Sequence, residues 1–418
     1  MQHLFFPNCF CINGDFAASW SLFSQIRKCL KGFIFKIAIL MLLRLLLCTP
    51  IAYSKTGLER GTNGRENHTG HHPKSQLHVA RPHRFIDSGT GPQFTLTPAI
   101  KDLAQGLANE GHLPSAWVLE TLSQAHRLNQ IKPLVLPAGT GFKKNWSAYR
   151  QRFTTSARIE AGVDFAIRNQ TTLSQVQSRY GVPWSVVVSI LGVETFYARE
   201  MGRFHALDVL TTLALEFPKE HPKAAQRQAF FREELLALLL LMNEHPTVQW
   251  RSSYAGAMGQ AQFMPSNWKK YGVDFDQDGQ INLFQSEADA IASVANYLAS
   301  FGWISGMPTH FNLHQEPSEI DNLAELLEND ILPTLSATQL IEHHVKLSEE
   351  ALGHVGKFAL IELQNADQAP TLLLGTDNFY VITRYNWSSY YAMAVIELAK
   401  EIDIATPTAS KPNLFSFG

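Results

Sequence analysis

PWSVVVSILGVETFYARE, residues 183–200, sets the centre of the fold. Pro183 suits the first turn of a helix, where its missing N–H is no loss. The helix predicted from there, about 183–200, is apolar on nearly every side: Trp184, Val186, Val187, Val188, Ile190, Leu191, Val193 and Phe196. A helix without a polar face belongs inside a domain, with other elements packed around it. Glu194 stands near its middle. A carboxyl group among apolar neighbours has its ionised form disfavoured, and an acid still protonated near neutral pH suits general-acid catalysis. From this helix alone, a buried glutamate satisfied by hydrogen bonds is an equal reading. Gly192 admits close approach of another backbone or of a substrate.

Working outward, the chain predicts a helix-rich protein. Pro98 opens an amphipathic stretch through Leu103 and Leu107, and residues 156–180 are also helical in pattern. Further helices are predicted at 206–216, 228–243 and 287–301. Residues 303–378 differ: a short helix near 322–328 precedes strand-like stretches at 342–348, 357–363 and 370–374. Residues 379–384 read as extended, and a last helix, about 387–402, returns to the core. The organisation expected is a signal region (1–54), a flexible linker (55–92), a helical domain (93–180), a catalytic core (181–302), a small β-containing subdomain (303–378), a return helix (379–405) and a tail (406–418).

The N-terminus has the marks of export. Arg27, Lys28 and Lys31 precede an apolar run from Phe33 to Leu47, and Ala52 and Ser54 offer a small-residue cleavage site before Lys55. The run is short for a membrane span, which needs roughly 20 apolar residues. Leu47 before Cys48 is a poor lipoprotein site. Residues 55–92 are polar and lack apolar periodicity, as a tether does. All four cysteines lie in the first 48 residues, so the remainder carries neither a disulfide framework nor a zinc–thiolate site. With 45% hydrophobic and 17% charged residues, the chain has ordinary globular composition, and a net charge of −2 gives no reason to expect a nucleic-acid partner.

A second stretch gives Glu194 a setting. SSYAGAMGQAQFMPS (252–266) is rich in small residues, which let backbone pack on backbone or ligand. Gln262 offers a donor and an acceptor, and Phe263 and Met264 an apolar platform. A tightly packed helix–turn–helix is the bland alternative. Together with GVETFYAREMG (192–202), SYAGAMGQAQFMPSNW (253–268), the acidic loop at 274–289, DAIASVANYL (289–298) and FYVITRYNWSSYYAMAV (379–395), it resembles the lytic murein transglycosylase B family of the lysozyme-like group. The resemblance runs from about Thr97 to Ile402 in family order and spacing.

The resemblance implies an α+β, predominantly α fold: a lysozyme-like helical core with an EF-hand-like loop, an additional helical region and a small inserted β-containing subdomain. It implies that Glu194 is the catalytic acid/base. Ser253 and Gln262 match sugar-contacting positions, and Phe263 lines the same cleft. Tyr149, Tyr297, Tyr385 and Tyr391 match cleft tyrosines, with Asn386 beside them, and Arg227 matches a position facing the peptide stem. Hydrolytic glycosidases place two carboxyl groups across the bond. Here Glu200 lies almost two turns further along the helix, and Asp208 reads as a local cap. One carboxyl group suffices for the reaction implied, cleavage between N-acetylmuramic acid and N-acetylglucosamine with closure of a 1,6-anhydro ring. A lysozyme-type hydrolase and a non-catalytic peptidoglycan-binding protein are the alternatives. The partners implied are peptidoglycan glycan strands and proteins of cell-wall synthesis or remodelling. The chain is expected to act as a monomer in the periplasm or at the outer membrane.

Asp274-Phe275-Asp276-Gln277-Asp278-Gly279-Gln280 opens like an EF-hand loop, with oxygen ligands at alternate positions and Gly279 at the sharp turn. Hard oxygen donors suit Ca²⁺. Position twelve is Gln285 instead of glutamate, so Asp289 is expected to close the set of Asp274, Asp276, Asp278 and Gln280. The role expected of the ion is to stabilise the fold.

Overall fold

The computed structural model describes residues 91–137 and 143–412. The export segment, nearly all of the tether and the last six residues fall outside the described part. Among the described residues no helix is long and apolar enough to cross a membrane.

The helices are, in chain order, α1 (Pro98–Gly111), α2 (Ser115–Ser123), α3 (Trp146–Phe153), α4 (Ser156–Arg168), α5 (Gln170–Tyr180), α6 (Trp184–Thr195), α7 (Ala206–Glu216), α8 (Ala224–Glu244), α9 (Pro265–Tyr271), α10 (Glu287–Ser300), α11 (Leu323–Leu326), α12 (Ala337–Glu342), α13 (Glu349–Leu352), α14 (Asp377–Tyr385) and α15 (Ser389–Ala405). Helix α6 is central as expected: ten of its residues, from Trp184 to Thr195, are buried, and α4, α5, α10 and α15 pack on it. Its end differs from expectation. The helix stops at Thr195, and Phe196, Tyr197 and Ala198 take left-handed conformations with φ of 49°, 55° and 67°. Glu194 is therefore in the last turn, not the middle, and Glu200 is off the helix altogether. An all-apolar pattern has no phase to mark its end, and three consecutive non-glycine left-handed residues, each costing roughly 1–2 kcal/mol, need tertiary support.

Two short strands, β1 (Phe204–His205) and β2 (Arg251–Ser252), pair antiparallel. The inserted subdomain holds a three-stranded antiparallel sheet of β3 (His310–Leu313), β4 (Ala359–Asn365) and β5 (Gln368–Gly375), in the order β3–β5–β4. Alternation divides its side chains. Leu313, Leu360, Leu372 and Leu374 face a small core of their own with Leu326, Leu340 and Phe358. Ala359, Ile361, Leu363 and Leu373 face the main core, which joins residues from Ala104 to Ile402.

Three expectations are corrected. Residues 342–348 form no strand: a capping box, Ser336 with Gln339, starts α12, and the chain then turns through His344 at φ 61°. Residues 379–384 are helical, inside α14, with Phe379, Val381 and Ile382 buried. Aromatic and β-branched residues favour strands on average, but packing decided otherwise. Asp208 makes no local cap; its Oδ1 accepts from the His126 amide at 2.8 Å, across 82 residues of sequence. Strand β3 was not foreseen.

Candidate active site

The end of α6 is locked to the small-residue loop after β2. Buried Thr195 donates its hydroxyl to the Gln260 carbonyl at 3.0 Å and accepts from the Ala198 amide at 3.2 Å, which supports the left-handed turn. Gln262, itself at φ 49°, donates its amide nitrogen to the Met201 carbonyl (3.3 Å) and the Gly259 carbonyl (3.0 Å). Two bonds thus join the turn after Glu194 to the turn containing Gln262. Glycine makes this closeness possible: a Cβ on Gly202 would lie 2.3 Å from the Ser252 carbonyl oxygen, and one on Gly259 would lie 2.7 Å from that of Leu283. Gly192 serves differently from expectation. What approaches it is the Tyr197 side chain, whose hydroxyl would be 2.4 Å from an added Cβ.

Around Glu194 stand four tyrosines from three parts of the chain. Tyr391, on α15, donates its hydroxyl to Glu194 Oε1 at 2.8 Å. Burial holds the hydroxyls of Tyr149, Tyr297, Tyr385 and Tyr391 above the ordinary phenol range, and the Glu194 carboxylate pushes each of them further. At neutral pH all four remain proton donors. Tyr385 donates to the Ala261 carbonyl at 2.5 Å and Tyr297 to the Arg384 carbonyl at 2.6 Å, so both are tied to backbone. Tyr385 stacks on Tyr391 with centroids 6.4 Å apart. Phe263, 2% exposed, sits against Tyr297 and Tyr385 as a floor beneath them.

Two polar atoms in this group are buried without a partner among the described residues: the Tyr149 hydroxyl and Asn386 Oδ1. Buried polar groups are nearly always hydrogen-bonded. Such orphans fit a site whose partners come with a polar ligand. Ser253, half-buried, accepts from the Ala257 amide at 3.2 Å and shapes the same loop. Arg227 lies on α8, its guanidinium over the rings of Phe230 and Phe231 at 5.1 Å.

The acidic loop forms a second cluster. Ligand oxygens of Asp274, Asp276 and Asp289 lie within 4.8 Å of one another. Asp289 is fully buried and accepts from the amides of Phe275 and Asn282, both at 2.8 Å. Burial raises its pKa, the two amides lower it, and Asp276 raises it. Asp278 Oδ1 caps the Gln280 amide at 2.8 Å and stands outside the three-carboxylate group. Three converging carboxylates repel one another unless a cation joins them, and their hard oxygens fit Ca²⁺. The loop also touches the active site. Asn282 precedes Leu283, whose carbonyl accepts from the Gln260 amide at 2.8 Å.

Sequence reasoning missed Thr195 and Leu283. Thr195 flanks the acid but no spacing marks it as a bridge, and Leu283 contributes a backbone carbonyl, which any residue type would supply.

The comparisons with known proteins agree with this geometry. A family model described as the Transglycosylase SLT domain matches residues 96–400. The chain is 33% identical over 325 residues to membrane-bound lytic murein transglycosylase B of Escherichia coli (strain K12), covering 75% of this chain and 85% of that one. Its structure is similar to that of the Escherichia coli lytic transglycosylase SLT35 in complex with calcium, at a TM-score of 0.65 and 33% identity over 75% of this chain and 96% of that one. It is also similar to SltB3 from Pseudomonas aeruginosa in complex with NAG-anhNAM-pentapeptide, at a TM-score of 0.59 and 27% identity over 74% of this chain and 81% of that one. A central helix that ends in a carboxyl group caged by tyrosines, inside a chain matched over most of its length, belongs to the transglycosylase SLT family, and the protein is a lytic murein transglycosylase.

Proposed function

We propose that Glu194 is the single acid/base that cleaves the β-1,4 bond between N-acetylmuramic acid and N-acetylglucosamine. The observation that carries this is the Tyr391–Glu194 hydrogen bond within the tyrosine group, which fixes the rotation of a carboxyl group at the end of a rigid helix. In the first step Glu194 gives its proton to the bridging oxygen as the C1–O bond breaks. The cation developing at C1 is stabilised by the substrate's own N-acetyl group. Glu194, now a carboxylate, takes the proton of the C6 hydroxyl while that oxygen bonds to C1. The product is a 1,6-anhydro ring, the acid is regenerated, and no water is consumed. Tyr391 donates to the carboxylate in the second half-reaction, when its charge is greatest.

The remaining groups hold substrate. Tyr149 and Asn386 bring buried polar atoms that a glycan satisfies, and Ser253 and Gln262 shape the loop beneath it. With its amide nitrogen bound to backbone, Gln262 turns its oxygen to the sugar. Arg227 is positioned along the strand, for the peptide stem. Asp274, Asp276 and Asp289 would hold Ca²⁺, with Asp278 and Gln280 completing the loop, and the ion neutralises their charge. Peptidoglycan lies outside the inner membrane, so the basic and apolar N-terminal segment serves to export the chain to the periplasm, where it acts as a monomer on glycan strands, at the outer membrane or with proteins of cell-wall synthesis or remodelling.

Mass spectrometry of the products released from purified sacculi tests the reaction. Anhydro ends, lacking the elements of water, are expected. Reducing ends would assign the protein to the hydrolases, and binding without release would make it a peptidoglycan-binding protein.

A further inference from the structure

The tip of the β4–β5 hairpin is polar and exposed, yet four successive residues engage the main body. The Gln364 amide donates to the Tyr390 hydroxyl at 2.7 Å, and that hydroxyl lies 3.2 Å from the Gln364 carbonyl oxygen. Asn365 Oδ1 accepts from the Ser147 amide at 3.1 Å, and Asn365 pairs with Asn145 in an isolated antiparallel bridge. The Ala366 amide donates to the Lys144 carbonyl at 2.9 Å. Asp367 forms an ion pair with Lys143. A register shift between Leu363 and Asn365, and Ala366 at φ 55°, give the tip the shape to reach this segment.

Both places it grips adjoin the tyrosines at Glu194. Residues 143–145 lead into α3, a two-turn helix that begins with Trp146 and Ser147 and carries Tyr149. Tyr390 precedes Tyr391, and its ring meets those of Tyr149 and Trp146 edge-on at 5.9 and 6.1 Å. The far end of α3 is fixed separately, by Arg150 on Glu397 at 2.8 Å and on Glu401 at 3.3 Å. At the near end Asn145 Oδ1 caps the Ala148 amide at 3.0 Å, and the hairpin adds the contacts above.

We propose that the hairpin tip Gln364–Asp367 is a positioning element for the active site, so that the inserted subdomain sets where Tyr149 and Tyr391 stand relative to Glu194. This rests on the reading of Glu194 and Tyr149 given above. The tip touches no reacting atom and acts through α3 and Tyr390.

The test is steady-state kinetics on purified glycan strands, well below the melting temperature, with the full chain. Asn365→Ala should lower kcat about tenfold with KM within about twofold of wild type, since small displacements of positioned groups cost rate before affinity. Asn365→Asp keeps the acceptor for Ser147 and should recover at least about half of the wild-type kcat. Tyr390→Phe keeps the ring contacts, removes the hydroxyl that holds Gln364, and should lower kcat on its own, guarding against misfolding of the first variant. Tyr149→Phe separates the two readings. If it lowers kcat while Asn365→Ala and Tyr390→Phe match wild type, the positioning role is overturned and the site assignment stands. If Tyr149→Phe is silent, the site assignment of Tyr149 fails and the proposal fails with it. Unfolding of both hairpin variants, or a lower melting temperature with unchanged kcat, would reduce the tip to a structural tie and overturn the proposal.

Discussion

The end of α6 and the acidic loop both present carboxylates next to left-handed backbone, and they surround them in opposite ways. Glu194 accepts from a tyrosine hydroxyl at 2.8 Å and lies among phenols that remain protonated. Asp274, Asp276 and Asp289 are set against one another within 4.8 Å. A carboxyl group among proton donors can lose and regain a proton without losing its place. Carboxylates that crowd together are held by something positive. The neighbours, more than the residue type, decide between proton transfer and cation binding. The same loop also shows how the two are joined, because Asn282 and Leu283 link Asp289 to Gln260, and Gln260 links to Thr195.

The sharpest way to break this contrast is Glu194→Gln. The variant keeps the shape and the acceptor for Tyr391 but cannot cycle a proton. Anhydro-product formation should fall about 10³-fold, in the middle of the range for general acid–base groups, with an unchanged melting curve. Activity above a tenth of wild type in a folded variant would remove Glu194 from its role.

Next in size is the response of the acidic loop to cation. Ca²⁺ at about 100 times its Kd should stabilise the fold by about 2.7 kcal/mol, and chelation should remove this. Asp276→Ala should abolish the response. Identical melting in EDTA and in Ca²⁺ would leave the three carboxylates without a cation to explain them.

Tyr391→Phe probes the hydrogen bond that distinguishes Glu194. Bonds to charged groups contribute about 1.5–3 kcal/mol, so kcat should fall by about ten- to a hundredfold. An unchanged kcat would show that the cage contributes shape and not polarity. The smallest effect expected is that of Thr195→Val, which removes the hydroxyl's bonds to the Gln260 carbonyl and the Ala198 amide, neither of them at the Glu194 carboxyl group, while keeping the side-chain volume. Several-fold loss of kcat is expected, with recovery in Thr195→Ser. Equal activity of the Val variant would mean that the turn at 196–198 is held without the hydroxyl.

Much of this was legible in the sequence because some patterns have a single solution. A helix apolar on nearly every side belongs at the centre of a domain, and Asp274-Phe275-Asp276 with Gly279 has the spacing of a loop that gathers oxygens. The helix bounds 206–216 agree with the observed Ala206–Glu216. What the sequence hid depends on distance along the chain. The left-handed turn after Glu194 is stabilised by Gln260, about 65 positions on. The helicity of 379–384 and the absence of a strand at 342–348 follow from packing and capping, which local propensity does not see. Asn365 carries no local mark at all, since its partner Ser147 is 218 residues away.

The bond between Tyr391 and Glu194 closes a loop of 197 residues. During synthesis the acid is made long before its partner. A chain still emerging, or truncated before α15, has Glu194 without the hydroxyl that orients it and without the face that Tyr390 and Tyr391 supply. The contact that orients Glu194 therefore closes only when α15 docks.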